Sequence, residues 1–224
     1  MRRALFTAVA GGLVLLSACG GGGGSSTSKP AAPAADQASA AKINLRQTDF
    51  PSGWTSAAHQ VTPQETATLK QLTTCVGIAD LAGHTTATDR SPDFSTGQAT
   101  SASSSVTFVK TDADASSDLG AFQSVKAPDC VKQAVQALIS QQLPGATPAN
   151  LDVHQLNFPT LKDGTAAYQA SFTVSAAGTN VPVYADFVYF RSGRAEVSLV
   201  STNLGSPFDP KLEQDLAKKM ADRA

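Results

Sequence analysis

The chain has 224 residues, with 17 basic and 18 acidic side chains, 12 prolines and three cysteines. Setting aside Arg2 and Arg3, which belong to the leader described below, leaves 15 basic against 18 acidic groups, a net charge of about −3. That balance excludes the electrostatic footprint of a nucleic-acid binder and any polybasic patch that would hold the chain to an anionic membrane. No CxxC pair is present, so redox catalysis has no support.

Residues 1–18 predict an export signal. Arg2 and Arg3 precede an apolar run from Ala4 to Leu16 that is too short to span a bilayer. Leu16-Ser17-Ala18-Cys19 follows and resembles a bacterial lipobox. Cys19 is therefore expected to be the acylated N-terminus of the mature chain, placing it on the extracytoplasmic face of the cell membrane. Two or three acyl chains would hold it there firmly. Five glycines and a Ser/Thr/Ala/Pro stretch then predict a flexible spacer over residues 19–42. Residues 43–224 remain for one globular domain, a length that buries about 70% of its unfolded surface.

Thr62-Pro63-Gln64-Glu65 fits a capping box, and Leu69, Leu72 and Val76 follow at helical spacing, so a helix is expected from Pro63 to Cys75, stopped by Gly77. Residues 97–110 predict a serine-rich strand, read either as a solvated edge or as the rim of a cleft. Asp89-Arg90-Ser91-Pro92-Asp93 reads as a charged turn. Thr111 begins a second helix with acidic groups at its positive end. Pro128 opens a third, carrying Cys130, Val131, Val135 and Ile139 toward the core before Pro144-Gly145 breaks it. Segments 151–158, 166–176, 181–191 and 194–202 predict four strands joined by short turns, hence an antiparallel meander. Asp209-Pro210 caps a final helix with Leu212, Leu216 and Met220 on one face. The predicted fold class is α+β, a single twisted antiparallel sheet of about five strands flanked by helices.

With Cys19 acylated, Cys75 and Cys130 remain in an oxidising compartment. A disulfide is preferred over two free thiols; it would close a loop of some fifty residues and clamp two helices, worth roughly 4 kcal/mol in the chain-entropy model. Strand 181–191 is apolar on both faces: Val183, Ala185, Phe187 and Tyr189 point one way, Tyr184, Val188 and Phe190 the other. Each face therefore needs a cover. Either helices fill both faces, or one lines a cleft for an apolar or amphipathic ligand, with Tyr168, Phe172, Tyr184 and Phe187 as candidate walls and Ser103 and Ser105 as small polar neighbours. Asp186, if buried, is expected to need Arg191 or Arg194 as a partner. No GxSxG, HExxH, SxxK or phosphate-binding glycine loop occurs in a persuasive context, and His59, His84 and His154 are scattered. No catalytic residue, cofactor or metal site is predicted.

A cysteine followed by Val76-Gly77-Ile78 closes the first helix. Ser104-Ser105-Val106-Thr107-Phe108-Val109-Lys110-Thr111-Asp112-Ala113-Asp114-Ala115 runs into the second, and Cys130 opens the third. This order resembles the PknH-like extracellular sensor domains of actinobacteria and their lipoprotein relatives, over roughly residues 69–137. Members usually carry more cysteines, and a tryptophan where Val125-Lys126-Ala127-Pro128 stands here. The resemblance implies a twisted antiparallel sheet with a ligand-binding cleft and no catalytic residue. The expected function is a lipid-anchored, non-enzymatic, sensor-like or ligand-binding envelope lipoprotein. The alternative is an interaction module that binds another envelope protein.

Overall fold

The structure, a computed structural model, describes residues 32–78, 81–142, 148–176 and 179–224. The predicted leader, Cys19 and most of the predicted spacer lie outside the described residues. Within them, Ala32–Ile43 is a helix (α1), although the residue pattern places all of it but Ile43 in the spacer. Its alanines favour helix intrinsically, but its anchoring is tertiary. Ala40 and Ile43 are buried, and the buried Asp36 carboxylate pairs with Arg194 at 2.6 Å and accepts from the Thr86 hydroxyl.

A short 3-10 turn, Gln47–Asp49, leads to Thr55–Ala57 (β1), Pro63–Val76 (α2) and Leu81–His84 (α3). Thr85–Arg90 (β2), Asp93–Thr96 (β3) and Thr100–Val109 (β4) follow, then Asp112–Phe122 (α4) and Ala127–Gln142 (α5). The last third holds Ala149–Gln155 (β5), Thr165–Ala176 (β6), Thr179–Ser192 (β7), Ala195–Leu204 (β8) and Pro210–Arg223 (α6).

All strands join one antiparallel sheet in the order β1-β3-β4-β8-β7-β6-β5, with β2 pairing the second half of the β4 edge that β3 occupies in its first half. The expectation of about five strands is thus corrected to eight. The added strands, β1 to β3, have three to six residues each and no apolar alternation to announce them. Their pairing makes β4 an interior strand rather than the solvated edge that its serines suggested. Ser91 and Pro92 turn the chain between β2 and β3, while the charged residues around them belong to the strand ends.

Helix ends follow local chemistry. Thr62 accepts from the Glu65 N–H at 3.1 Å with Pro63 at the first helical position, and Gly77 closes α2 in the left-handed region at φ +108°, where the Ile78 N–H reaches the Thr73 carbonyl at 2.8 Å. Thr111 and Asp114 form a complete capping box on α4, and Asp209 caps α6 through the Lys211 and Leu212 N–H groups. Cys75 in the last turn of α2 is bonded to Cys130 in the first turn of α5, with an S–S distance of 2.01 Å and Cα atoms 5.6 Å apart.

Both sheet faces are covered. Val106, Val188, Phe190, Val197 and Leu199 lie in a core with Ile43 of α1, Leu216 and Met220 of α6, and the stacked rings of Phe50 and Phe94. Tyr168, Ala170 and Ala185 lie in a second core with Val76, Leu119, Val131, Val135 and Ile139 under α2, α4 and α5. The two-sided apolar pattern of β7 therefore separates two cores.

Candidate functional site

A cavity of about 640 Å³ remains between the α2/α5 pair and the sheet face beneath it. That volume falls in the range of small-molecule sites. Leu69 and Leu72 of α2, Val131, Val135 and Leu138 of α5, and Phe122 at the end of α4 form its helical walls. Tyr168, Phe187, Tyr189 and Val200 face them from the sheet.

The open volume has a local cause. Ser103 of β4 pairs with Val200 of β8, Ser105 pairs with Ser198, and Tyr189 of β7 pairs with Ser198 from the other side. Three serines thus occupy neighbouring positions beside the rings of Tyr168, Phe187 and Tyr189, so the helices rest on aromatic rings and leave space above hydroxyls. Ser104 points to the opposite face, where its hydroxyl donates to Asn44 Oδ1 at 2.7 Å and accepts from the Leu45 N–H at 3.1 Å.

Of the predicted cleft residues, the structure brings together Tyr168, Phe187, Ser103 and Ser105. Tyr168 is also a core residue, 5% exposed, whose hydroxyl donates to the Phe122 carbonyl and ties β6 to α4. Phe172 shares its face but packs against the second core farther along β6 and does not line the cavity. Tyr184 is corrected more firmly. It alternates with Phe187, shares the face of Asp186 and Val188, and so points away from the cavity.

The rim carries charge that the residue pattern did not reveal. His59, in the β1–α2 connection, lies between two carboxylates: Nδ1 is 2.8 Å from Asp93 Oδ1 and Nε2 is 3.2 Å from Glu65 Oε2. Ionised carboxylates only accept, so this placement favours the imidazolium, in which both ring nitrogens donate. The hydrogen bond to Asp93, with Glu65 adding to it, holds the His59 pKa above its ordinary value. Arg90 at the end of β2 donates through Nη1 to the other Glu65 oxygen. The capping box expected at α2 is therefore half formed. Thr62 caps the Glu65 N–H, but the Glu65 carboxylate turns to His59 and Arg90 instead of reaching back to Thr62.

Beyond Tyr189 lies a buried polar cluster. Glu196 of β8 is 6% exposed, and burial, then the hydrogen bond and charge of Asp118, hold its carboxyl well above the ordinary range, which favours its protonated form. Asp118 is also 3.0 Å from His84 Nε2. Burial likewise raises the Tyr189 hydroxyl. With Asp118 and Glu196 each under 10% exposed, the pair is enclosed between α4 and the sheet. His154 meets Asp152 on the exposed edge strand β5. Among the described residues no cluster of His, Cys, Asp and Glu could hold a metal ion, and no helix is long and apolar enough to cross a membrane. The only signals in the sequence for the missed lining were the parity of Tyr189 with Phe187 and the helical spacing of Leu69 and Leu72.

No family model matches the chain, and no curated protein matches it. Among solved structures the chain is similar to the extracellular domain of PknH from Mycobacterium tuberculosis, over 84% of this chain and 95% of that one, at 11% identity and a TM-score of 0.46. It is also similar to LpqN, involved in cell envelope biogenesis of Mycobacterium tuberculosis, over 77% and 78% of the two chains, at 13% identity and a TM-score of 0.32. Likenesses of this degree assign no function.

Proposed function

We propose that this chain is a lipid-anchored, extracytoplasmic, non-enzymatic module that binds an apolar or amphipathic small molecule, in the manner of a sensor or carrier of the cell envelope. The observation that carries the reading is the cavity of about 640 Å³, with aliphatic and aromatic walls, a serine floor and a charged rim. Each methylene moved from water into such a space contributes about 0.8 kcal/mol, so a chain of about sixteen carbons contributes about 13 kcal/mol and leaves micromolar binding after about 5 kcal/mol for association. The leader and lipobox motif support the location and anchor. The alternative, a protein-docking module, has less support: the exposed large apolar side chains Val61, Leu69, Val125 and Leu204 come from separate segments.

The test uses the chain beginning at residue 20, so that no acyl group competes. Titration with the neutral fluorophore N-phenyl-1-naphthylamine is expected to show saturable binding at one site. Ser103→Phe, which places a ring in the cavity, is expected to abolish it with far-UV dichroism unchanged. Absence of binding by the parent chain, or full binding by the variant, overturns the reading. For the anchor, incorporation of radiolabelled palmitate that disappears in Cys19→Ala is the expected result.

A further inference from the structure

Glu65 lies in the first turn of α2, and Leu69 and Leu72 follow at helical spacing on the same side, so that all three line the cavity. A carboxylate followed by an apolar stripe is the outline of an acidic amphiphile. The carboxylate is also held as a ligand would be: the basic side chains that line the cavity are Arg90 and His59, and each meets a different one of its two oxygens. Neither comes from α2. Arg90 is on the sheet, and His59 is fixed independently through Asp93. The pair would thus persist if the Glu65 side chain swung away, and nothing else in α2 depends on that carboxylate, because the helix is capped by the Thr62 hydroxyl and the Glu65 N–H.

We infer that the rim is a headgroup site for a single-chain amphiphile ending in a carboxylate, which displaces Glu65 from Arg90 and His59 while its chain runs along Leu69, Leu72 and Phe187. This rests on the ligand-binding reading above and adds the ligand class. Because the ligand carboxylate takes over the contacts of Glu65 as that side chain turns to water, Arg90 and His59 keep a partner and apolar burial drives binding. Glu65 then acts as a resident competitor that weakens acid binding and leaves neutral chains of equal length unaffected.

The experiment compares cis-parinaric acid with its alcohol, parinarol, by fluorescence on the chain from residue 20. The parent is expected to bind the two alike. Glu65→Gln, which removes the competitor, is expected to tighten acid binding by about fivefold and leave the alcohol unchanged, a gain typical of one partly exposed ion pair. Arg90→Gln added to Glu65→Gln is expected to weaken acid binding by about tenfold and again leave the alcohol unchanged. Acid binding that is unchanged or weaker in Glu65→Gln overturns the headgroup site while leaving the apolar cleft standing. So does acid binding that the added Arg90→Gln leaves unchanged. Binding of neither probe overturns the cleft and the headgroup site together.

Discussion

Three acidic side chains on or facing the sheet, Asp186, Glu196 and Glu213, are less than 7% exposed, and each meets its burial differently. Asp186 was expected to pair with Arg191 or Arg194. Instead it accepts from Gln169 Nε2 at 2.8 Å on the neighbouring strand, while Arg191 lies 3.7 Å from Asp163 and Arg194 joins Asp36. With only a neutral donor, burial raises the Asp186 pKa. Glu213 of α6 accepts from the Ser201 hydroxyl. Burial, with the charge of Asp186 adding to it, pushes Glu213 up to about 7 from its ordinary 4.5. Between those two values the folded chain keeps a proton that the unfolded chain has lost. Stability therefore falls as pH rises through this window, by about 3 kcal/mol in all. Glu213→Gln keeps an acceptor for Ser201 without the titration. The stability difference between variant and parent is expected to widen in favour of the variant from pH 4.5 to 7 and stay constant above, as read from urea unfolding at stepped pH. A difference independent of pH would refute this. The apolar residues on both sides of Asp186 pointed to its burial, whereas nothing near Glu196 or Glu213 announced theirs, since a carboxylate reads the same whether it faces water or a neighbouring element.

At the scale of elements, what local chemistry specifies was legible. The caps Thr62, Thr111 and Asp209 start helices where the sequence placed them, and β5 to β8 fall within a few residues of the expected meander. The Lys162-Asp163-Gly164 turn was also legible, though not the reason for its glycine. Gly164 has φ +147°, and a Cβ there would lie 2.6 Å from Leu119 Cδ2 of α4. Gly164→Ala is therefore expected to cost about 3 kcal/mol, from backbone strain together with overpacking, measured as a lower urea midpoint with an unchanged slope. α1 and β1 to β3 were not legible, because they have no caps or alternation of their own. They are held by partners far along the chain: Asn44 donates to Asp89 at 2.7 Å, Ser91 accepts from the Ser104 N–H at 2.8 Å, and Phe94 packs under Phe50. The Cys75–Cys130 bond, expected from compartment and count, joins α2 to α5 and so ties together the two helices that roof the cavity.

Across the whole molecule, the first and last described helices lie on one face of the sheet. Arg223 of α6 donates to both Asp49 oxygens at 2.9 Å and to the Ile43 and Asn44 carbonyls, while Arg194 between β7 and β8 takes Asp36 of α1 and stacks 5.6 Å from the Phe108 ring. Residues 32–43 are thus packed into the fold as α1. Deleting residues 32–43 uncovers the β2 and β4 face and strips Arg194 of its carboxylate, and is expected to lower stability by about 3 kcal/mol or more. Unfolding of the shortened chain at the same urea concentration as the parent would show that α1 is dispensable.

The sequence by itself determined the α+β class, the helix caps, the antiparallel meander, the cysteine pairing and the two-sided burial of β7. Each of these depends on residues near one another in the chain, on a simple period or, for the cysteines, on their count and compartment. Tertiary structure alone decided that the serine-rich strand is interior, that three serines from two strands open a cavity, and that Glu65 leaves its cap to meet His59 and Arg90. These depend on strand order and helix placement, which bring together positions dozens of residues apart, and no local pattern encodes which distant side chain will fill a space or leave it empty.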